Sequence, residues 1–209
     1  MTPPIQPTRR QFIGMTLAAV GALVAGGLIP GLAPVAEAQA AADAAQRIAD
    51  HFSSVRTMAG EFVQFGPKGE QTGGKFFIER PGKIRFNYEA PVALNVISDG
   101  KSVVLNNKKL KTWDLYPLSK TPLKLLLDER IDLGGGKVVD VRQDADLTTI
   151  QLADKSVFGN SRLTMMFDPK TYELRQWTIT DAQGKDTTVM IFNVQQGVIY
   201  QVHAGEGGA

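Results

Sequence analysis

The chain has 209 residues, 43% of them hydrophobic, with a formal net charge of +2, two histidines and no cysteine. That is enough apolar material for a real core, and the near balance of 23 basic and 21 acidic residues offers no electrostatic footprint for nucleic acid. The missing cysteine excludes disulfides, thiol catalysis, thiolate metal sites and an acylated N-terminal cysteine of the chain's own.

In chain order, residues 1–38 read as an export signal. Arg9-Arg10 precedes an apolar run from Phe12 to Leu32, and Ala36-Glu37-Ala38 supplies a small-residue cleavage site. Thr8-Arg9-Arg10-Gln11-Phe12-Ile13 fits the twin-arginine pattern, with an ordinary secretory signal as the alternative. Gly26-Gly27, Pro30 and Pro34 break the apolar run into pieces too short to anchor it across a bilayer. Cleavage after Ala38 removes two arginines and one glutamate and leaves residues 39–209 as a single domain of net charge +1. The address is the periplasm, and the mature chain is expected to be soluble.

Ala41, Ala45, Ile48, Phe52 and Val55 recur at helical spacing, which predicts an amphipathic helix over Ala41–Val55. The period then changes from 3.6 to 2. Lys83 to Glu89 alternates cleanly, with Ile84, Phe86 and Tyr88 on one face. The other predicted strands are Glu61–Phe65, Gly74–Glu79, Leu94–Ser98, Ser102–Asn106, Lys111–Leu115, Val138–Arg142, Thr148–Leu152, Arg162–Phe167, Leu174–Thr180 and Thr187–Val194. Turn signals such as Asp99-Gly100, Asn106-Asn107, Asp168-Pro169 and Gln183-Gly184 separate them. Short strands joined by short turns make an antiparallel meander. One interruption is predicted: a short helix with Thr121 as N-cap and Pro122 as first residue, running through Leu125, Leu126 and Leu127 before Gly134-Gly135-Gly136.

The catalytic inventory is thin. His51 falls on the front helix and His203 in the tail, and no nucleophile elbow, zinc helix, calcium loop or phosphate loop is present. Gly134-Gly135-Gly136-Lys137 lacks the leading glycine and the trailing Ser/Thr of a phosphate loop. No catalytic residue, metal site or cofactor is assigned. Lys108, Lys109 and Lys111 beside Trp113 could form a basic-aromatic patch, but they read more simply as a solvated hairpin tip. No nucleic-acid partner is expected.

A wide antiparallel sheet must cover its apolar face. Here that face carries Phe62, Phe76, Ile84, Phe86, Tyr88 and Val96, with little helix to cover them. A packed core and a cavity wall use the same residues, so patterning leaves both open. The stretch Gly74-Lys75-Phe76-Phe77-Ile78-Glu79-Arg80-Pro81-Gly82-Lys83-Ile84-Arg85-Phe86-Asn87-Tyr88-Glu89, then Pro91, then Ile97-Ser98-Asp99-Gly100, resembles the LolA family of outer-membrane lipoprotein carriers. Gly60-x-Phe62-x-Gln64 is similar to that family's opening, and Leu163–Phe167, Asp168-Pro169, Leu174 and Trp177–Thr188 to its closing hairpins. The likeness spans about residues 41–198.

The resemblance implies an α+β fold, an incomplete antiparallel β-barrel or curved sheet whose helical lid encloses an apolar cavity. It implies a monomeric, cofactor-free, non-enzymatic carrier that binds lipoprotein acyl chains, takes cargo from an inner-membrane ABC-type release complex and delivers it to an outer-membrane receptor. Arg80 matches the arginine that bonds lid carbonyls in the family, as opposed to a solvated arginine at a strand end. Phe62, Phe76, Ile84, Phe86, Tyr88 and Val96 would line the cavity, and Leu123, Leu126 and Leu127 would form the lid. Family members usually continue past the Gln-Gly-Val region with an apolar Phe-x-Phe segment and a closing strand. Here Val198-Ile199-Tyr200 leads to Gln201-Val202-His203 and a Gly-rich end. The alternatives are a carrier of another envelope lipid on the same scaffold, or a non-enzymatic envelope sensing module with a filled core.

Overall fold

The computed structural model describes residues 33–134 and 137–199. Helix α1 (Ala33–Ser54) opens the fold. Six strands follow: β1 (Thr57–Phe65), β2 (Gln71–Glu79), β3 (Lys83–Tyr88), β4 (Leu94–Asp99), β5 (Ser102–Asn107) and β6 (Thr112–Pro117). A connection then holds a 3-10 turn (Leu118–Lys120) and the five-residue helix α2 (Leu123–Leu127). Five strands complete the chain: β7 (Val138–Gln143), β8 (Thr148–Leu152), β9 (Arg162–Phe167), β10 (Leu174–Thr180) and β11 (Asp186–Gln196), with a short helix α3 (Lys155–Phe158) between β8 and β9.

The eleven strands form one antiparallel sheet in the order β6-β5-β4-β3-β2-β1-β11-β10-β9-β8-β7. Two meanders are joined through β1 and β11, so the two edges of the sheet, β6 and β7, are consecutive in sequence. They do not pair with each other, and the curved sheet stays an incomplete barrel, closed over by the connection that carries α2. All eleven predicted strands are present. β1 starts at Thr57 and not at Glu61, because the weakly β-forming Thr57-Met58-Ala59-Gly60 is held in register by Glu79 to Phe76 of β2.

Helix α1 begins at Ala33, upstream of the predicted Ala41. Residues 33–40 are alanine-rich and show no apolar stripe, so periodicity does not report them although alanine favours helix strongly, and Pro34 is tolerated in a first turn. The export signal predicted over residues 1–38 lies outside the described residues as far as residue 32, and Ala36-Glu37-Ala38 falls within α1. Gly135, Gly136 and His203 also lie outside the described residues. The capping expected at α2 is corrected. The cap position is Pro122, with no side-chain cap, and the Thr121 hydroxyl instead donates to the Leu118 carbonyl at 2.9 Å. A threonine two residues upstream of a helix satisfies the nearer orphan carbonyl, that of the 3-10 turn.

Period-two alternation puts one row of each strand on the inner face. There α1 buries Ala45, Ile48, Ala49 and Phe52, and the Phe52 ring meets Phe167 edge-on at 5.7 Å. Polar bonds tie α1 to the connection. Ser53 Oγ accepts from Ile131 N at 2.9 Å, and Gln46 donates to the Ile131 carbonyl at 3.2 Å and accepts from Leu133 N at 3.2 Å. On the surface Arg130 holds both carboxylate oxygens of Asp50, at 2.9 and 3.3 Å. Helix and connection therefore form one cover over the sheet.

Candidate functional site

Two features stand out on the inner face: a buried arginine at one end of β2 and β3, and an apolar cleft toward the other. Arg80 follows β2 directly and is only 2% exposed. Its Nη1 donates to the Val55 carbonyl, just past α1, at 2.6 Å, and its Nη2 to the Leu126 carbonyl of α2 at 3.2 Å. The guanidinium carbon lies 4.1 Å from the centre of the Phe52 ring. No ion pair among the described residues includes Arg80, and its Nε is buried without a hydrogen-bond partner. Burial pulls its pKa down to about 10, so it stays charged at neutral pH. A buried cation held only by two carbonyl dipoles and a ring face is costly to desolvate and weakly compensated. It joins α1, α2 and the sheet, and nothing in its surroundings makes that junction strong.

The turn that follows Arg80 is closely packed. Gly82 adopts φ +78°, and a Cβ there would approach Gly100 Cα to 2.6 Å, so the β2–β3 and β4–β5 turns touch because Gly82 carries no side chain. Gly82 N also donates to the Leu127 carbonyl at 2.9 Å.

The cleft has a volume of about 260 Å3. Its walls come from β3 (Ile84, Phe86, Tyr88), β4 and β5 (Val96, Val103, Leu105), β6 (Tyr116), β10 and β11 (Trp177, Ile179, Val189), and Leu123 of α2 closes one side. Its polar lining is sparse: Gln64, Thr121, Thr187 and the Tyr88 hydroxyl, which donates to Gln64 Oε1 at 2.7 Å. Burial pushes the Tyr88 phenol up to about 12, so it remains a neutral donor. Two roomier hollows, of about 530 and 560 Å3, are edged by charged groups, Glu61 and Lys75 in one and Arg47 and Asp144 in the other. The apolar lining, not size, singles out the cleft beside α2.

The predicted wall residues divide. Ile84, Phe86, Tyr88 and Val96 face the cleft, whereas Phe62 and Phe76 are buried at 1% and 3% exposure and do not line it. Phe62 meets the Phe86 and Tyr88 rings edge-on at 4.8 and 5.0 Å, and Phe76 stacks on Phe86 at 5.7 Å, so both brace the wall. Of the predicted lid, Leu123 faces the cleft, while Leu126 and Leu127 are buried in the core at 1%. Sequence reasoning missed Val103, Leu105, Tyr116, Trp177, Ile179 and Val189. The signal was available in strand pairing, since Leu105 stands opposite Val96 and Tyr116 opposite Val103. The histidine within the described residues does not line the cleft: His51 is exposed on α1, edge-on to Tyr172 at 5.8 Å. Among the described residues no group of three or more His, Cys, Asp or Glu could hold a metal ion, and no helix is long and apolar enough to cross a membrane.

A family model described as outer membrane lipoprotein carrier protein LolA matches residues 53–201. An outer-membrane lipoprotein carrier protein of Chromohalobacter salexigens is 30% identical over 170 residues, which cover 76% of this chain and 79% of that protein. A protein of the same description from Pectobacterium atrosepticum is 26% identical over 167 residues, covering 76% and 80%. Among solved structures, a LolA superfamily protein from Nitrosomonas europaea is similar over 75% of this chain and 94% of its own, at 7% identity and a TM-score of 0.41, a likeness too remote to build on.

Proposed function

The chain belongs to the LolA family of outer membrane lipoprotein carrier proteins, and from that premise we propose that it is a periplasmic carrier whose cleft holds lipoprotein acyl chains. The observation that carries this reading is the apolar cleft walled by Ile84, Phe86, Val96, Leu105 and Trp177 beside a helix held by so few bonds. Acyl chains gain ~0.8 kcal/mol for each CH₂ taken from water. Apolar walls read that chemistry without reading the protein sequence attached to it. The chain binds and hands over; it does not turn its cargo over chemically.

At about 260 Å3 the cleft exceeds the ~150 Å3 that admits a benzene ring. It lies below the ~300–1,000 Å3 typical of drug-sized ligands, and three long acyl chains need more. Loading therefore widens the cleft by lifting α2, which the Arg80 bond to Leu126 restrains. Arg80 acts as the latch, Leu123 as the movable wall, and Leu126 and Leu127 as the anchor of the lid. The chain reaches the periplasm through its N-terminal signal, receives cargo from an inner-membrane ABC-type complex and passes it to an outer-membrane receptor.

Mass spectrometry of what co-purifies with the protein from its native periplasm tests the reading. Acylated lipoproteins in stoichiometric amount are expected. Free lipid without lipoprotein would mean a different cargo on the same scaffold, and protein free of any lipid would overturn the carrier reading.

A further inference from the structure

The inner face of the β5–β6 hairpin lines the cleft through Val103, Leu105 and Tyr116, but its tip and outer face lie outside it and concentrate apolar exposure. Leu110, Trp113 and Leu115 are 67%, 66% and 68% exposed. They are not loose. Asn107 Oδ1 accepts from Lys109 N and Leu110 N at 3.1 and 3.0 Å, and Lys108 N donates to the Ala93 carbonyl at 2.8 Å. The tip is thus a preformed turn that holds Leu110 outward. Trp113 and Leu115 lie two residues apart on edge strand β6, on its outer face, with Leu115 opposite the partly exposed Val104. In the same rows the outer face carries the partly exposed Ile97 and then Arg85, Asn87 and Asn95, so the apolar stripe runs from the hairpin onto β4 and ends at Arg85. Lys108, Lys109 and Lys111 surround it, and the one opposing charge in the stretch, Asp114, points to the other face of the strand.

We propose that this hairpin docks the carrier on the anionic headgroup layer of a phospholipid bilayer. Trp113 and Leu110 enter the interface while the three lysines meet lipid phosphates. Tryptophan at the headgroup level flanked by lysines is the chemistry of an interfacial anchor. Each lysine near such a surface adds attraction that salt screens. A convex tip inserts among headgroups but offers no groove for a protein partner's side chains, and three lysines on a near-neutral chain do not track a nucleic-acid backbone. The geometry also links docking to the cleft. Trp113, Asn106, Asn95 and Asn87 share one row across β6, β5, β4 and β3, and Asn87 adjoins Tyr88 of the cleft wall. The tip therefore sits at the Tyr88 end of the cleft, away from Arg80, and brings that end against lipid.

The experiment is co-sedimentation of the cargo-free full chain with phosphatidylglycerol/phosphatidylcholine vesicles and with phosphatidylcholine vesicles, with brominated acyl chains as quenchers of exposed tryptophan. Binding to the anionic vesicles alone, weakened by salt and with Trp113 quenched, is expected; Trp177 at 2% exposure is sheltered. The triple variant K108E/K109E/K111E should lose at least about tenfold in affinity, and Trp113→Ser alone should abolish the quenching. An unchanged affinity in both variants, or sedimentation without quenching, would overturn the proposal. So would binding to native membranes that protein-free vesicles do not reproduce, which would point to a protein receptor. Binding of a fluorescent fatty acid in the cleft, measured on the same variants, should be unaltered, so failure here and failure of the carrier reading are told apart.

Discussion

The two halves of the inner face use the same alternation and end differently. On β8 and β9, Ile150, Leu152, Leu163, Met165 and Phe167 are at most 1% exposed, packed in the core that includes Phe52 of α1. On β3 to β5, Ile84 and Phe86 are buried at 3% and 6%, yet Tyr88, Val96 and Leu105 remain partly open around the cleft. The strands do not differ in kind; their cover does. Helix α1 has 22 residues and fills its half with Ile48 and Phe52, whereas α2 has five and offers the cleft only Leu123. A core stays open as a cleft where the covering element is too short to fill it.

The sharpest way to break this comparison is to truncate one side chain in each half. Phe52→Ala should cost ~3–5 kcal/mol, because Phe52 supports both Phe167 and the Arg80 guanidinium. Leu105→Ala should cost under ~1 kcal/mol and instead weaken the binding of an acyl-chain probe. Denaturant unfolding of the two variants checks it, and equal losses would mean that the halves are packed alike.

The junction between the halves is Arg80. Arg80→Leu leaves the carbonyls of Val55 and Leu126 without their donor, at a cost of ~1–3 kcal/mol. Amide exchange in 123–127 should accelerate while cargo loading persists and handover to the receptor slows. Arg80→Lys, with a point charge in place of a fork, should hold one carbonyl and fall between. Normal transfer by the leucine variant in a two-step assay would remove the latch from the mechanism.

A further variant separates cleft from core without loosening either. Val96→Trp places an indole in the open half, so probe affinity should fall about tenfold while stability changes by less than the ~1–3 kcal/mol of an overpacked core. A larger destabilisation would show that the cleft has no room. The smallest effect lies on the closed half's rim, where Asp168 accepts from Thr171 N and Lys170 N and pairs with Arg175. These backbone bonds and the arginine lower its pKa from 3.8 to about 2. Its folded pKa is depressed, so its contribution is complete above 3.8 and lost as pH falls toward about 2. Asp168→Asn should flatten that part of the stability profile, as followed by acid unfolding.

Much of this architecture was legible in the order of residues. Alternation marked Lys83–Glu89 because a half-buried strand must alternate, and glycine, asparagine and aspartate marked the turns that bound the other ten strands because those turns need their backbone freedom or side-chain bonds. The Arg-Pro-Gly segment pointed to Arg80. Local pattern does not report what lies across space. Ile84 and Ile150 read alike in sequence, yet one lines a cleft and the other a filled core. Phe62 and Phe76 read as wall residues and are instead its bracing, since only the fold puts Phe86 in front of them. The wall residues Trp177 and Val189 come from the far end of the chain through the pairing of β1 with β11. Sequence by itself determined the strands, the turns and the kind of surface they bury, because those follow from short-range sterics and period. Tertiary structure alone decided which part of that surface stays open, because openness depends on how far the covering helices reach.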